Sequence, residues 1–428
     1  MTSSTHANPS LIELGMSERR LLLLVSAVQF INILDFMIVM PLGPDFAREL
    51  HIPLSNMGLI GGSYTGAAAI SGLVSARFLD RFDRRSVLAI VMLGLVFGTA
   101  CAGFSRGLAG LMSARVIAGA FGGPATSISL SIIADVIPPQ RRGRAMGIVM
   151  GAFSLATIAG LPAALELARL GGWRTPFFAV AGMGLFVVGA AIFAMPSLRF
   201  HLTAKDRTSA QSPLWQFLSQ RPVMLSLLAT ITTMMAAFAI VPNISSYVQG
   251  NRGYPREQLG ALYLAGGSVS FLAMRLMGGY VDKLGAGRVS AIGTVGFIGV
   301  LATGFVYELP IPVMSIYIGF MTSMAFRNIS MTTLSTRVPL AHERARFLSL
   351  QSAAQHIAAS IGAVLSAHLL TERANRTLEG MPLVASVSIG LSFFLPPLLW
   401  LVERELQARD AIALAELQPL AAEVEPTI

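Results

Sequence analysis

Charge is what this 428-residue chain has least of: Asp, Glu, Lys and Arg make up 12% of it, against 54% hydrophobic residues. Soluble domains carry about a quarter charged residues. A water-soluble globular fold is therefore excluded, and the chain reads as an integral membrane protein. Cysteine is almost missing as well. Cys101 stands alone, which rules out an internal disulfide and a thiolate metal cluster. No metal-ligand cluster and no glycine-rich phosphate loop appears, so neither catalysis nor work driven by ATP bound to this chain is expected, and no cofactor. The one string with a catalytic look, "GFSRG" at Gly103–Gly107, needs a strand-to-helix elbow and falls instead in a turn between two apolar helices. The first 19 residues are polar and lack a basic segment leading into a short apolar core, so no cleaved signal peptide is expected.

What is abundant is apolar length. A spanning helix needs about 20 predominantly apolar residues, and such blocks lie near 20–41, 55–77, 84–104, 107–134, 144–168, 173–195, 223–247, 258–280, 288–307, 311–336, 346–370 and 381–402. Twelve spans follow. The net charge of +9 has a topological cause: with the amino terminus inside, 20 of the 31 Lys and Arg fall on inner loops and tails and eight on outer loops. That excess places both termini in the cytoplasm. It is not a nucleic-acid footprint.

The chain repeats itself. An offset of 202 residues carries Asp80 onto Asp282, "RRGRAMG" (Arg142, Arg144) onto "HERARFLS" (Arg344, Arg346), and "FMIV" at Phe36 onto "FAIV" at Phe238. Two six-helix halves are expected, at 20–196 and 223–402, a parallel repeat of the kind many secondary transporters use. A polar tail at 1–19, a cytoplasmic linker at 197–222 and a tail at 403–428 complete the plan. Within the linker, Ser212 and Pro213 signal a helix start, and Leu214, Trp215, Phe217 and Leu218 suit a short helix at the membrane surface.

These residues resemble the major facilitator superfamily, and within it the drug:proton antiporter branch that includes predicted arabinose efflux permeases. "FLDRFDRRSVL" is similar to the family's loop motif through Asp80, Arg81, Arg84 and Arg85, with Ala76 and Asp83 where glycine is usual. "RVIAGAFGGPA" looks like its arginine-plus-glycine motif through Arg115, Gly119, Gly122 and Gly123, and Gly151, Gly160 and Pro162 match part of the antiporter motif, whose terminal glycine pair is absent. The resemblance implies an all-α fold of two pseudo-symmetric halves around a central cavity, in a bacterial inner membrane, as a monomer handling a small-molecule substrate and protons.

The first span carries Gln29, Asn32 and Asp35 three residues apart, a polar stripe along one helix side. A carboxylate at membrane depth is costly and is usually kept for a partner or a pathway. Asp35 lies about 9 Å from Pro41 along the helix and Arg115 about 12 Å from Gly107, so their depths match and a pair is allowed. Such a pair either locks two helices or exchanges a proton. The offset carries Asp35 onto Ala237 and Arg115 onto Tyr317, so only one half has the charges, which favours exchange. Asp35 is the expected proton carrier and Arg115, which cannot release a proton, its regulator.

Gln29, Asn32, Phe36 and Tyr64 are expected to contribute to the substrate lining, together with Arg327, Asn328, Gln355 and His356 from the second half. Arg327 would attract an anionic group if it faces the cavity, or snorkel if it does not. Gln351, Gln355 and His356 offer hydrogen bonds either to a ligand or between helices. Gly62 and Gly66 have close-packing spacing. Glu166 and His368, related by the same offset, are candidates for an outer gate. Asp80, Arg81, Arg84, Arg85, Arg142, Arg144 and Asp282 sit at inner helix ends, where charges can latch the halves when that face closes. The expected function is proton-coupled efflux of a small amphipathic compound by alternating access. Uptake or facilitated passage of a sugar or organic anion is the rival transport reading, and a non-transporting membrane sensor the rival of another class.

Overall fold

The computed structural model describes residues 16–75, 81–199, 213–340 and 343–422. Within them lie twelve long helices: α1 (Glu18–Ile38), α2 (Leu54–Ser75), α3 (Arg84–Gly103), α4 (Leu108–Val136), α5 (Arg141–Gly171), α6 (Arg174–Ala194), α7 (Arg221–Gly250), α8 (Leu259–Leu284), α9 (Ala286–Val306), α10 (Val313–Arg337), α11 (Arg344–Leu369) and α12 (Met381–Ala411). Ten of the described helices are long and apolar enough to cross a membrane. The other two of the expected twelve, α10 and α11, form as rods of 25 and 26 residues. Arg327, Asn328, Gln351, Gln355 and His356 make them more polar, as interior helices of a bundle can be. This is an all-α membrane fold.

The helices pair by one scheme used twice. In the first half α1 packs on α5 and α6, α2 on α4, and α3 on α4 and α6; in the second, α7 packs on α11 and α12, α8 on α10, and α9 on α10 and α12. Each pairing maps onto its counterpart by adding six, which is the duplication seen as packing. Small residues set the distances. A side chain at Gly119 or Gly123 of α4 would collide with the backbone carbonyls of Tyr64 or Ala68 on α2, so only glycine lets those two rods approach. Gly62 touches Ser360 and Val364 on α11, and its carbonyl accepts a 2.9 Å hydrogen bond from Ser360 Oγ.

The two halves meet along α2 against α11 and α5 against α8. The meeting is one-ended. Call the end where α1 begins and α12 finishes the terminal end, and the other the distal end. At the distal end Arg256 pairs with Asp45 at 2.6 Å, Ser245 Oγ donates to the Pro41 carbonyl at 2.9 Å, and Glu372 accepts from the Leu54 N–H at 2.6 Å. A side chain at Gly267 of α8 would press against Thr157 of α5. Farther along those same helix faces the contact is lost: about two turns before Thr157, Met150 is 43% exposed, and about three turns after Gly267 a side chain at Gly278 would meet only open space. The halves touch at the distal end and part toward the terminal end. The apolar core follows suit, since one cluster joins both halves distally while a separate one, around Phe217, Phe347 and Leu399, fills the terminal end of the second half alone.

Candidate functional site

The polar stripe of α1 points into the first half rather than into open space. Gln29, Asn32 and Asp35 are all buried. Asp35 receives three hydrogen bonds: Arg115 Nη1 donates to its Oδ1 at 3.0 Å, Thr99 Oγ1 donates to the same oxygen at 2.7 Å, and Arg115 Nη2 donates to its backbone carbonyl at 3.2 Å. Both charged groups are almost fully withdrawn from the surface. The ion pair is asymmetric. Asp35 Oδ2 and Arg115 Nε are buried without a hydrogen-bond partner among the described residues, so the carboxylate keeps one oxygen free.

A second layer covers the pair. Tyr64 of α2 lays its ring 4.6 Å from the Arg115 guanidinium carbon, a cation–π contact in a dry setting. Its hydroxyl donates to Asn32 Oδ1 at 2.9 Å, and Asn32 Nδ2 donates to the Gly122 carbonyl at 3.1 Å and to Thr126 Oγ1 at 2.9 Å. Asn32 is therefore spent on joining α1, α2 and α4. Gly122 must be small here, because a side chain would strike the Tyr64 hydroxyl. Phe36 stacks on Tyr64 at 5.1 Å and meets Phe238 of α7 at 5.9 Å. Those two phenylalanines are the residues the 202 offset relates, so they touch across the pseudo-twofold axis. The geometry thus makes one line from the junction of the halves to the charge: Phe36, Tyr64, Arg115, Asp35.

The remaining sequence candidates lie apart from this line. Arg327 is fully buried, with its guanidinium carbon 4.1 Å from the Phe297 ring on α9, and among the described residues none of its three guanidinium nitrogens has a hydrogen-bond partner. It extends toward α9 because Gly293 leaves room beside its stem. Asn328 is half-buried with its amide oxygen unpartnered, and Gln355 and His356 are half-buried on α11. Gln351 joins a packing network instead, donating to Ser335 Oγ at 2.7 Å and to Thr230 Oγ1 at 3.4 Å.

Three of the inner-loop arginines are bound within their own half. Arg84 Nε donates to Asp135 Oδ2 at 2.9 Å, Arg85 Nη1 to the Met195 carbonyl at 3.2 Å, and Arg142 Nε to the Ile137 carbonyl at 2.8 Å. Arg81 and Arg144 are exposed. Asp80 and the side chain of Asp282 lie outside the described residues. Asp83, where the resembled motif has glycine, is buried and accepts from the Leu198 N–H at 2.7 Å and from Ser86 Oγ at 3.2 Å. At the distal end Glu166 pairs with Arg169 at 2.5 Å, and a ring nitrogen of His368 stands 2.9 Å from the Val364 carbonyl. An ion pair that does cross between the halves is that of Asp45 with Arg256.

The sequence model of the Major Facilitator Superfamily matches residues 25–363. The chain belongs to the major facilitator superfamily. It is 23% identical over 296 residues to a chloramphenicol resistance protein of Streptomyces lividans, covering 69% of this chain and 75% of that one. To the purine ribonucleoside efflux pump NepI of Escherichia coli O6:K15:H31 it is 27% identical over 248 residues, 57% of this chain and 60% of the pump. Among solved structures, a D-xylose-proton symporter superposes with a TM-score of 0.69 at 16% identity, covering 89% and 97% of the two chains, which speaks for the fold alone. The protein is accordingly a multi-pass membrane transporter rather than an enzyme. In this superfamily member the buried pair, the aromatic line above it and the one-ended closure are the features that bear on mechanism.

Proposed function

We propose that the protein is a proton-coupled exporter of small amphipathic compounds, working as a monomer in a bacterial inner membrane with both termini in the cytoplasm. The observation that carries this reading is Asp35: a fully buried carboxylate with one oxygen engaged by Arg115 and Thr99 and the other free. No equivalent exists in the second half, where Ala237 and Tyr317 occupy the matching positions. Similarity to a chloramphenicol resistance protein and to a nucleoside efflux pump supports export.

The geometry supplies a coupling route. An apolar substrate group entering from the terminal end reaches Phe36 and presses its ring onto Tyr64, which seats the Arg115 guanidinium against Asp35. Seating that cation favours the charged carboxylate, so a protonated Asp35 gives up its proton. In the reverse sense, protonation loosens Arg115 and the aromatic line, and with them the substrate. Substrate and proton thereby compete for one arrangement, which is the condition for antiport.

Reconstituted vesicles test this directly. Asp35→Asn strands the Arg115 charge and should lower stability, but its amide oxygen still accepts from Arg115 and Thr99, so it should fold and bind substrate, yet show no accumulation driven by a pH gradient and no proton release on substrate binding. Full gradient-driven transport by Asp35→Asn would remove the proposal. Arg327 supports a second reading, passage of an organic anion, since its nitrogens lack acceptors; a preference for anionic over neutral ligands that disappears in Arg327→Gln would favour it.

A further inference from the structure

A cavity of about 680 Å³ lies at the terminal end of the second half, bounded by the turn between α8 and α9, the end of α10, and α12. It is remote from the Asp35 site by sequence and by half. Its charged lining comprises Lys283, Arg288, Arg337, Glu403 and Arg404. Two of these are already engaged: Glu403 Oε2 accepts the Gly287 N–H at 3.1 Å, satisfying an orphan donor in the first turn of α9, and Arg337 pairs with Asp410 at 3.0 Å. Lys283, Arg288 and Arg404 have no ion-pair partner among the described residues. Three cations without an ion pair therefore share with the single carboxylate of Glu403 a space large enough for a small molecule, which leaves it net positive.

The depth of the cavity tells what kind of anion can reach it. On α12 the apolar run Leu398–Val402 changes abruptly to Glu403, Arg404 and Glu405, so the cavity sits where hydrocarbon gives way to headgroups. Trp400 is 54% exposed at that boundary, the usual level of an interfacial aromatic, with the Arg404 guanidinium 5.7 Å from its ring. Leu284 on the opposite rim is exposed too. A soluble anion would use only the charges. A lipid would use both, its phosphate among the cations and its chains along Leu284 and Trp400.

We propose that this cavity binds the phosphate headgroup of an anionic phospholipid. Basic pockets between transmembrane helices near the cytoplasmic surface suit such headgroups. Bound there, the lipid ties the α8–α9 turn to α10 and α12 and steadies the terminal end of the second half while the halves are parted.

Native mass spectrometry of the full-length protein in detergent, titrated with phosphatidylglycerol, with phosphatidylcholine of the same chains, or with inorganic phosphate, tests the proposal. Phosphatidylglycerol should be retained and phosphatidylcholine should not. Arg288→Ala should weaken phosphatidylglycerol binding about fivefold, the effect of one basic residue near a charged membrane surface, while Arg288→Lys keeps it; Lys283→Gln provides the same reading if Arg288→Ala fails to fold. Equal retention of the two lipids, or undiminished binding by both charge-removing variants, overturns the site. Displacement of phosphatidylglycerol by inorganic phosphate at matched concentration would show a soluble-anion site and equally overturn the lipid assignment.

Discussion

Arg115 and Arg327 pose opposite electrostatic problems. Each is a fully buried guanidinium lying against an aromatic face, but Arg115 has a carboxylate and Arg327, among the described residues, has none. Removing one partner of a buried pair typically costs about 3–5 kcal/mol, because it strands the other charge, so Arg115→Met should lower the unfolding temperature sharply. Arg327→Met strands nothing. It should leave stability unchanged or raise it by about 1–4 kcal/mol, as replacing buried charge with well-packed apolar groups can do; thermal unfolding in detergent compares the two, and a large loss for Arg327→Met would show that its charge holds the fold. At this scale the sequence told part of the story. Depth matching brought Asp35 and Arg115 together because helical rise is rigid. Thr99 gave no signal: a threonine in an apolar helix ordinarily closes on its own backbone, and its hydroxyl does stand 2.8 Å from the Leu95 carbonyl as well as 2.7 Å from Asp35. Asp83 looked like a missing glycine and is instead a buried acceptor for the chain leaving α6.

Helices α2 and α11 form the tighter of the two seams between the halves. Gly58 lies where any side chain would run into the Ala363 carbonyl, with Ser366 Oγ also in the way. Gly58→Leu should wedge that seam and favour the state open at the distal end; reaction of a cysteine placed along the distal seam with a membrane-impermeant maleimide, in a Cys101→Ser background, should speed up. An unchanged rate would mean the seam yields without opening. Breaks within helices are a different matter. A π turn at Ala156–Gly160 in α5 stands next to Pro162 and puts Thr157 against Gly267, whereas the π turn at Ala302–Val306 in α9 is followed by a proline only at Pro310, beyond the helix end. Apolar periodicity announces that a helix exists, but one residue too many in a turn is settled by what packs around it, so these kinks were not readable from the chain.

On the scale of the molecule, closure at the distal end depends on residues far apart in sequence. Asp45 and Arg256 are each about one-fifth exposed, and a pair in that setting contributes about 1 kcal/mol at most. Arg256→Ala should therefore shift the population toward distal opening by no more than about fivefold, visible as a longer-distance component between spin labels on the two distal loops. No change in the distance distribution would leave the seam of α2 and α11 as the sole lock. The duplication, the twelve rods and the division into halves were legible because hydropathy and a constant offset are written along the chain. The state was not, since Asp45 and Arg256 each look like an ordinary loop charge until folding brings them together, and Glu166, matched to His368 by symmetry, is held by Arg169 one turn away.

The single-sidedness of the charge pair also sets a thermodynamic ceiling. If Asp35 is the one group that loads and unloads a proton, each cycle couples one proton to one substrate, and a driving force of about 100 mV supplies about 2.3 kcal/mol. For a neutral compound that limits the steady concentration ratio to about fiftyfold. A ratio beyond it at that driving force would require a second titrating group away from the symmetry-related position, since Ala237 and Tyr317 place no carboxylate there.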